Sequence, residues 1–113
     1  MDLQLKGKKV LVTGSTAGIG FAAARTFAAE GASVIVNGRT QERLDNAIRE
    51  IRKSQPSADL AGVASDVSNA AGCAKLIRAV PDVDVLVNSM GIFEPKPFEQ
   101  IQDEDWFRFF EAN

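Results

Sequence analysis

The chain has 113 residues, 45% hydrophobic and 25% charged, with a net charge of −2. That much apolar content with so little net charge excludes a disordered chain, and the mixed charge signs argue against a nucleic-acid or anionic-membrane surface. There is no histidine, no tyrosine and a single cysteine, which leaves no ligand set for a transition metal, no internal disulfide and no imidazole for catalysis.

The length predicts one domain. No run approaches the ~18 consecutive apolar residues of a membrane span, and Met1-Asp2-Leu3-Gln4-Leu5-Lys6 lacks the apolar core of a signal peptide. The expectation is a cytoplasmic protein with no membrane and no nucleic-acid partner.

Along the chain, apolar runs alternate with helical patterns. Lys8 to Thr13, with Val10-Leu11-Val12 between Gly7 and Gly14, predicts a buried strand. Gly18 to Glu30 is an Ala-rich helix with Ile19, Ala23, Phe27 and Glu30 at helical spacing, and Gly31 stands where a C-cap glycine belongs. Ser33 to Asn37 predicts a second strand. Thr40 can N-cap a helix that carries Leu44, Ile48 and Ile51 on one face and an Asp45–Arg49 ion pair on the other. Ser54 to Asp59, with Pro56, breaks it.

Leu60 to Ala64 is a weaker third strand. Ser68 can cap a helix from about Asn69 to Val80, which Pro81 ends, and Val83 to Asn88 holds a fourth buried strand, Val85-Leu86-Val87. A loop with Pro95 and Pro97 follows. The last helix starts near Asp103, where Asp103, Glu104 and Asp105 suit the positive end of the helix dipole. Its Trp106, Phe110 and Asn113 share one face. The chain stops inside this helix, which suggests the N-terminal half of a larger domain.

Strands alternating with helices imply βαβ units and a parallel sheet covered on both faces. The first strand–helix junction reads Thr13-Gly14-Ser15-Thr16-Ala17-Gly18-Ile19-Gly20. Gly14 can leave the strand in a conformation other residues avoid, Gly18 admits a phosphate to the main chain, and Gly20 lets the helix pack closely. The free N–H groups and dipole of the helix start would then hold a pyrophosphate. There is no G-K-[ST], so a Walker-type phosphate loop is excluded. A turn that merely packs a helix on a strand could show the same glycines.

Thr13-Gly14-x-x-x-Gly18-Ile19-Gly20 resembles the cofactor motif of the classical short-chain dehydrogenase/reductase family, and the resemblance runs through all 113 residues. Asp66-Val67 falls where that family places an Asp for the adenine amino group. Asn88-Ser89-Met90-Gly91 falls where it usually shows Asn-Asn-Ala-Gly, with Ser89 and Met90 as departures. Asn113 matches the family's helix asparagine, whose carbonyl holds a water of the proton relay. Extended short-chain enzymes and epimerases space their glycines differently.

The resemblance implies a Rossmann-type doubly wound parallel sheet, ordered 3-2-1-4 and incomplete at its C-terminal side. It also implies a nucleotide at the carboxyl ends of the first and fourth strands. The expected cofactor residues are Gly14, Ser15, Thr16, Gly18, Ile19, Gly20, Arg39, Asp66, Val67, Asn88 and Gly91, and Asn113 is the one expected catalytic residue. The family's catalytic Ser and Tyr-x-x-x-Lys are absent, so this chain alone is expected to be inactive.

At the end of the second strand, Asn37-Gly38-Arg39 offers no acid for the ribose 2′-hydroxyl of NAD, whereas Arg39 can pair with a 2′-phosphate, and Arg43 adds positive potential. NADP is therefore expected over NAD. A solvated loop residue is the plainer reading of Arg39, as a strand-end turn is of Asp66 and sheet hydrogen bonding is of Asn88. Cys73 reads as packing. Phe93 to Phe98 reads as a loop on the substrate side, and Trp106, Phe107, Phe109 and Phe110 as core or subunit interface. By resemblance the expected partners are a small alcohol or carbonyl substrate and a second copy of the chain, docked through the last helix. A free-standing nucleotide-binding or interaction module without catalysis is the alternative.

Overall fold

Val10, Leu11 and Val12 form the centre of a parallel four-stranded sheet in the computed structural model, which describes Met1–Asn113. The strands are β1 (Lys9–Val12), β2 (Ser33–Gly38), β3 (Leu60–Ala64) and β4 (Val85–Val87), in the order β3-β2-β1-β4. Val10 pairs with Val34 on one side and Val85 on the other, and Val12 with Val36 and Val87. Every strand-to-strand connection is a crossover carrying a helix: α1 (Gly18–Ala29), α2 (Gln41–Ser54) and α3 (Ala70–Ala79). The expected order and handover of strands and helices are present.

Side chains alternate across the sheet, so each face has its own core. Val10, Val12, Val34 and Val36 point to the face covered by α1 and α2, where Ala24, Ala28, Leu44, Ala47 and Ile51 complete a buried cluster. Leu11 and Ile35 point the other way, onto Leu76 of α3.

Several local expectations are corrected. In α1 the fully buried face is Gly20, Ala24 and Ala28, with Ala23 and Phe27 of the helically spaced set only partly buried beside it, and Ile19 is 85% exposed. Small residues win because they let the helix backbone lie close to the strands. The N-cap of α3 is Asn69, which accepts from Gly72 N at 2.7 Å, because Ser68 is taken up by Asp66. The Asp45–Arg49 pair does not form: Asp45 accepts from Gln41 at 2.9 Å and Arg49 donates to Asn46 at 2.9 Å. Thr40 does cap α2, accepting from Arg43 N at 3.3 Å.

β4 is not buried as its Val-Leu-Val run predicts. It has β1 on one side only, and Leu86 is 52% exposed. Beyond it, a loop leads through one 3₁₀ turn at Phe98–Gln100 to α4 (Asp103–Ala112). Gln102 and Asp105 form a capping box at the start of α4, and Trp106 stacks on Phe110 with ring centroids 6.4 Å apart.

Candidate functional site

The carboxyl ends of β1, β2 and β3 and the segment after β4 surround a cleft of about 230 Å³. It lies where the strand order reverses, the place at which open α/β sheets bind ligands. Gly14, Thr16 and Ala17 line it from the glycine-rich turn, Asn37, Gly38 and Arg39 from the end of β2 and just beyond it, Asp66 and Val67 from the segment after β3, and Gly91 and Ile92 from the segment after β4.

The turn is shaped by close approach. Gly14 has φ +57°, and a Cβ there would stand 2.9 Å from Met90 Cα, so only glycine fits. A Cβ on Gly20 would strike the Gly14 carbonyl, so α1 starts directly against the turn it follows. Gly18 also has positive φ, +61°, and faces open space.

Hydrogen bonds fix the strand ends on both sides of the turn. On one side the Thr13 hydroxyl accepts from Ser89 N at 3.1 Å and Met90 N at 3.3 Å, and the Thr13 N–H donates to Val87 O at 3.0 Å. On the other, Asn37 is 1% exposed and its side chain joins Gly14 to β3. Thr13 opens the glycine motif, whereas the type of Asn37 does not mark it as a site residue. The signal for Asn37 was an amide continuing a run of apolar strand residues.

Ser15, expected among the ligand contacts, has both its polar donors engaged internally. Its N–H donates to Asn37 O at 2.8 Å and its hydroxyl to Val12 O at 2.6 Å, and the side chain is fully buried. It braces the turn from below.

The cleft carries positive charge at its rim. Arg39 is exposed and, like Arg43, makes no salt bridge. Asp66 stands across from them. The Ser68 hydroxyl at 2.6 Å and the Ser68 N–H at 3.0 Å both donate to Asp66 Oδ1, and together they hold its carboxyl below the usual range, with a further contribution from Arg39.

The other expected residues lie apart from this cleft. Asn88 is exposed and lines a separate apolar groove with Leu11, Leu76 and Leu86, and Ile19 projects from the start of α1. Val67 and Met90 border both cavities. Asn113 comes back to the site through its side chain: Oδ1 accepts from Ile92 N at 2.8 Å and Nδ2 donates to Ile92 O at 3.1 Å. Gly91 leaves room for this, since a Cβ there would stand 3.1 Å from Asn113 Oδ1.

The loop after β4 is held on α4 by four charges. Glu94 pairs with Arg108 at 2.6 Å and Lys96 with Asp105 at 2.8 Å, with Lys96–Glu94 and Arg108–Asp105 at 3.5 and 3.3 Å closing the network. Arg108 holds Glu94 and Lys96 holds Asp105 below the usual carboxylate range, and Asp105 holds the Lys96 ammonium above its own.

Residues 8–113 match the family described as short chain dehydrogenase. The chain is 50% identical to the uncharacterized oxidoreductase YvaG of Bacillus subtilis, over all of this chain and 43% of that protein. It is 34% identical to human L-xylulose reductase, over all of this chain and 44% of that one. Among solved structures it superposes on L-sorbose reductase from Gluconobacter frateurii, complexed with NADPH and L-sorbose. The TM-score is 0.88 at 32% identity, over 99% of this chain and 44% of that one. The chain spans less than half the length of these relatives.

Proposed function

The chain belongs to the short-chain dehydrogenase family, and on that premise we propose that residues 1–113 form the cofactor-binding half of an NADP-dependent oxidoreductase that interconverts a small-molecule alcohol and a carbonyl. The observation that carries the cofactor choice is the end of β2. Gly38 leaves no acid there, and the unpaired Arg39 and Arg43 stand at the rim of the cleft. A nucleotide 2′-phosphate would meet two guanidinium groups and no repelling carboxylate on β2.

The residues present fit a dinucleotide. The close approach of Gly14 and Gly20 leaves the turn without side chains where a diphosphate would lie, at the start of a 12-residue helix. In this reading Gly14, Thr16, Gly18 and Gly20 bind the diphosphate with Ser15 beneath them, and Ile19, Asn88 and Gly91 flank the nicotinamide half. Asp66, with Val67 beside it, accepts from the adenine amino group, which suits a carboxyl held ionised by Ser68. Asn113 offers its carbonyl to a relay water, and its side chain fixes the Ile92 backbone next to it. The bound cofactor would supply the hydride. None of the residues named for the cofactor serves to remove or deliver the accompanying proton in this reading, and the chain has neither Tyr nor His to do so.

Further parts of the reading are a second copy of the chain docked on α4, where Phe107 and Phe110 are 67% and 80% exposed, and a cytoplasmic location. No helix is long and apolar enough to cross a membrane. Titration of NADP(H) and NAD(H) against the full-length protein and its Arg39→Asp variant tests the cofactor choice. The expected result is tighter NADPH binding by the unmodified protein and a reversed preference in the variant. Equal affinity of the unmodified protein for both cofactors would overturn it.

A further inference from the structure

We propose that Asn37 is a positioning residue: it lies in the wall of the cleft, almost wholly buried, and acts by setting the glycine-rich turn at the one geometry in which the backbone can receive a dinucleotide diphosphate. The inference rests on the dinucleotide reading above and goes beyond it by naming what holds the cradle in shape.

Asn37 is the penultimate residue of β2 and is 1% exposed. A buried primary amide is costly unless its donors and acceptor are all used, and here all are. Its Oδ1 accepts from Gly14 N at 3.0 Å. Its Nδ2 donates to Ser65 Oγ at 3.0 Å, Val63 O at 3.2 Å and Ser65 O at 3.3 Å. Its own N–H donates to Ser15 Oγ at 2.9 Å and its carbonyl accepts from Ser15 N at 2.8 Å. One residue thus ties together the turn after β1, the end of β2 and the end of β3.

The hydrogen bond to Gly14 matters most. Gly14 is the residue at which the chain leaves β1 with positive φ, and its position directs the amides that follow. Without Oδ1 the Gly14 N–H loses its protein partner, and the turn is free to rotate towards another one. No other side chain of this size fits the role. Aspartate keeps the acceptor and loses the donors, turning an oxygen towards the Val63 and Ser65 carbonyls. Leucine fills the space and makes no hydrogen bond. Arg39, by contrast, is carried by the β2–β3 ladder, where Asn37 and Gly38 pair with Val63 and Ala64. Loss of the Asn37 side chain should therefore act on the diphosphate and spare the 2′-phosphate.

The experiment compares two nucleotides on the full-length protein: NADPH, which carries the diphosphate, and adenosine 2′-phosphate, which lacks it. Asn37→Ala should weaken NADPH at least about tenfold and adenosine 2′-phosphate less than about threefold, at a temperature where thermal unfolding shows the variant folded. Should that variant fail to fold, Ser65→Ala removes one acceptor of Nδ2 and leaves the other two. It should weaken NADPH about fourfold, with adenosine 2′-phosphate unchanged. Unchanged NADPH affinity in the folded variant overturns the proposal, and so does an equal loss for both nucleotides, which would mark a structural role only. An unmodified protein that binds neither nucleotide overturns the dinucleotide reading itself.

Discussion

Thr16 lies directly against Gly38: its γ-methyl occupies the space in which a side chain at position 38 would begin. The glycine-rich turn and the end of β2 are therefore packed on each other through a residue that has no side chain. An acid at the end of the second strand is the usual partner of an NAD ribose in this fold, and here Thr16 stands in its way.

Gly38→Asp alone should destabilise the protein by about 1–3 kcal/mol, the ordinary cost of overpacking a closed contact. Thr16→Ala removes the obstructing methyl. In a double-mutant cycle by chemical denaturation, the two changes should couple by about 1 kcal/mol or more in the compensating direction. Simple additivity would show that Thr16 moves aside at no cost.

The pH profile follows from the charged groups of the site and loop. Asp66, Glu94 and Asp105 have carboxyls held below the ordinary range in the folded state. Their contribution is present above the unfolded value of about 4 and is lost as pH falls through the lower folded value. Lys96 is held above its ordinary value, so its contribution is present below about 10.5 and is lost as pH rises beyond it. Denaturation midpoints should therefore be flat between about pH 5 and 10 for these groups and fall at both ends. Asp66→Asn, with Ser68 left in place, should shallow the acid limb. An acid limb of unchanged slope in that variant would refute the assignment.

Leu44 is fully buried where α2 meets the sheet. Leu44→Ala should cost about 2–5 kcal/mol of unfolding free energy. Ile48→Ala, one turn along and only partly buried, should cost less. Equal losses at the two sites would contradict the packing described for α2.

Expressed by themselves, residues 1–113 should show no NADPH oxidation on any carbonyl substrate. Hydride transfer to a carbonyl needs a group at the site to protonate the developing alkoxide; the chain carries no Tyr or His, and the one carboxyl lining the cleft, Asp66, is held ionised by Ser68. Turnover by the purified polypeptide, measured as loss of NADPH absorbance, would overturn this.

The strand order and the crossover helices were legible because the signals were strong and local: three consecutive apolar residues between glycines in β1, and 3.6-residue spacing in α2. The buried face of α1 is less legible: Ile19, Ala23 and Phe27 mark helical spacing, whereas contact with the sheet is decided by how closely Gly20, Ala24 and Ala28 let the helix approach. The cap of α3 was misplaced by one residue, since Ser68 and Asn69 are both good caps and only tertiary geometry shows that Asp66 claims the first. At the site, Gly14 and Arg39 could be found from spacing along the chain. Asn37 could not, because its importance lies in hydrogen bonds to residues more than 20 positions away, and although Thr13 opens the motif, its bonds to the segment after β4, more than 70 positions away, are visible only in the fold.

Asn37 is followed by Gly38, the pairing in which an asparagine side chain is most open to attack by the next backbone nitrogen, with loss of ammonia through a cyclic imide. In the folded protein the amide is buried and fully hydrogen bonded, and that reaction is held back. In the unfolded chain nothing restrains it. Each deamidation there leaves an aspartate or isoaspartate, whose new oxygen must face the carbonyls of Val63 and Ser65 on refolding. Time spent unfolded would thus be recorded chemically at position 37, and the ageing of this protein under heat should be irreversible in proportion to it.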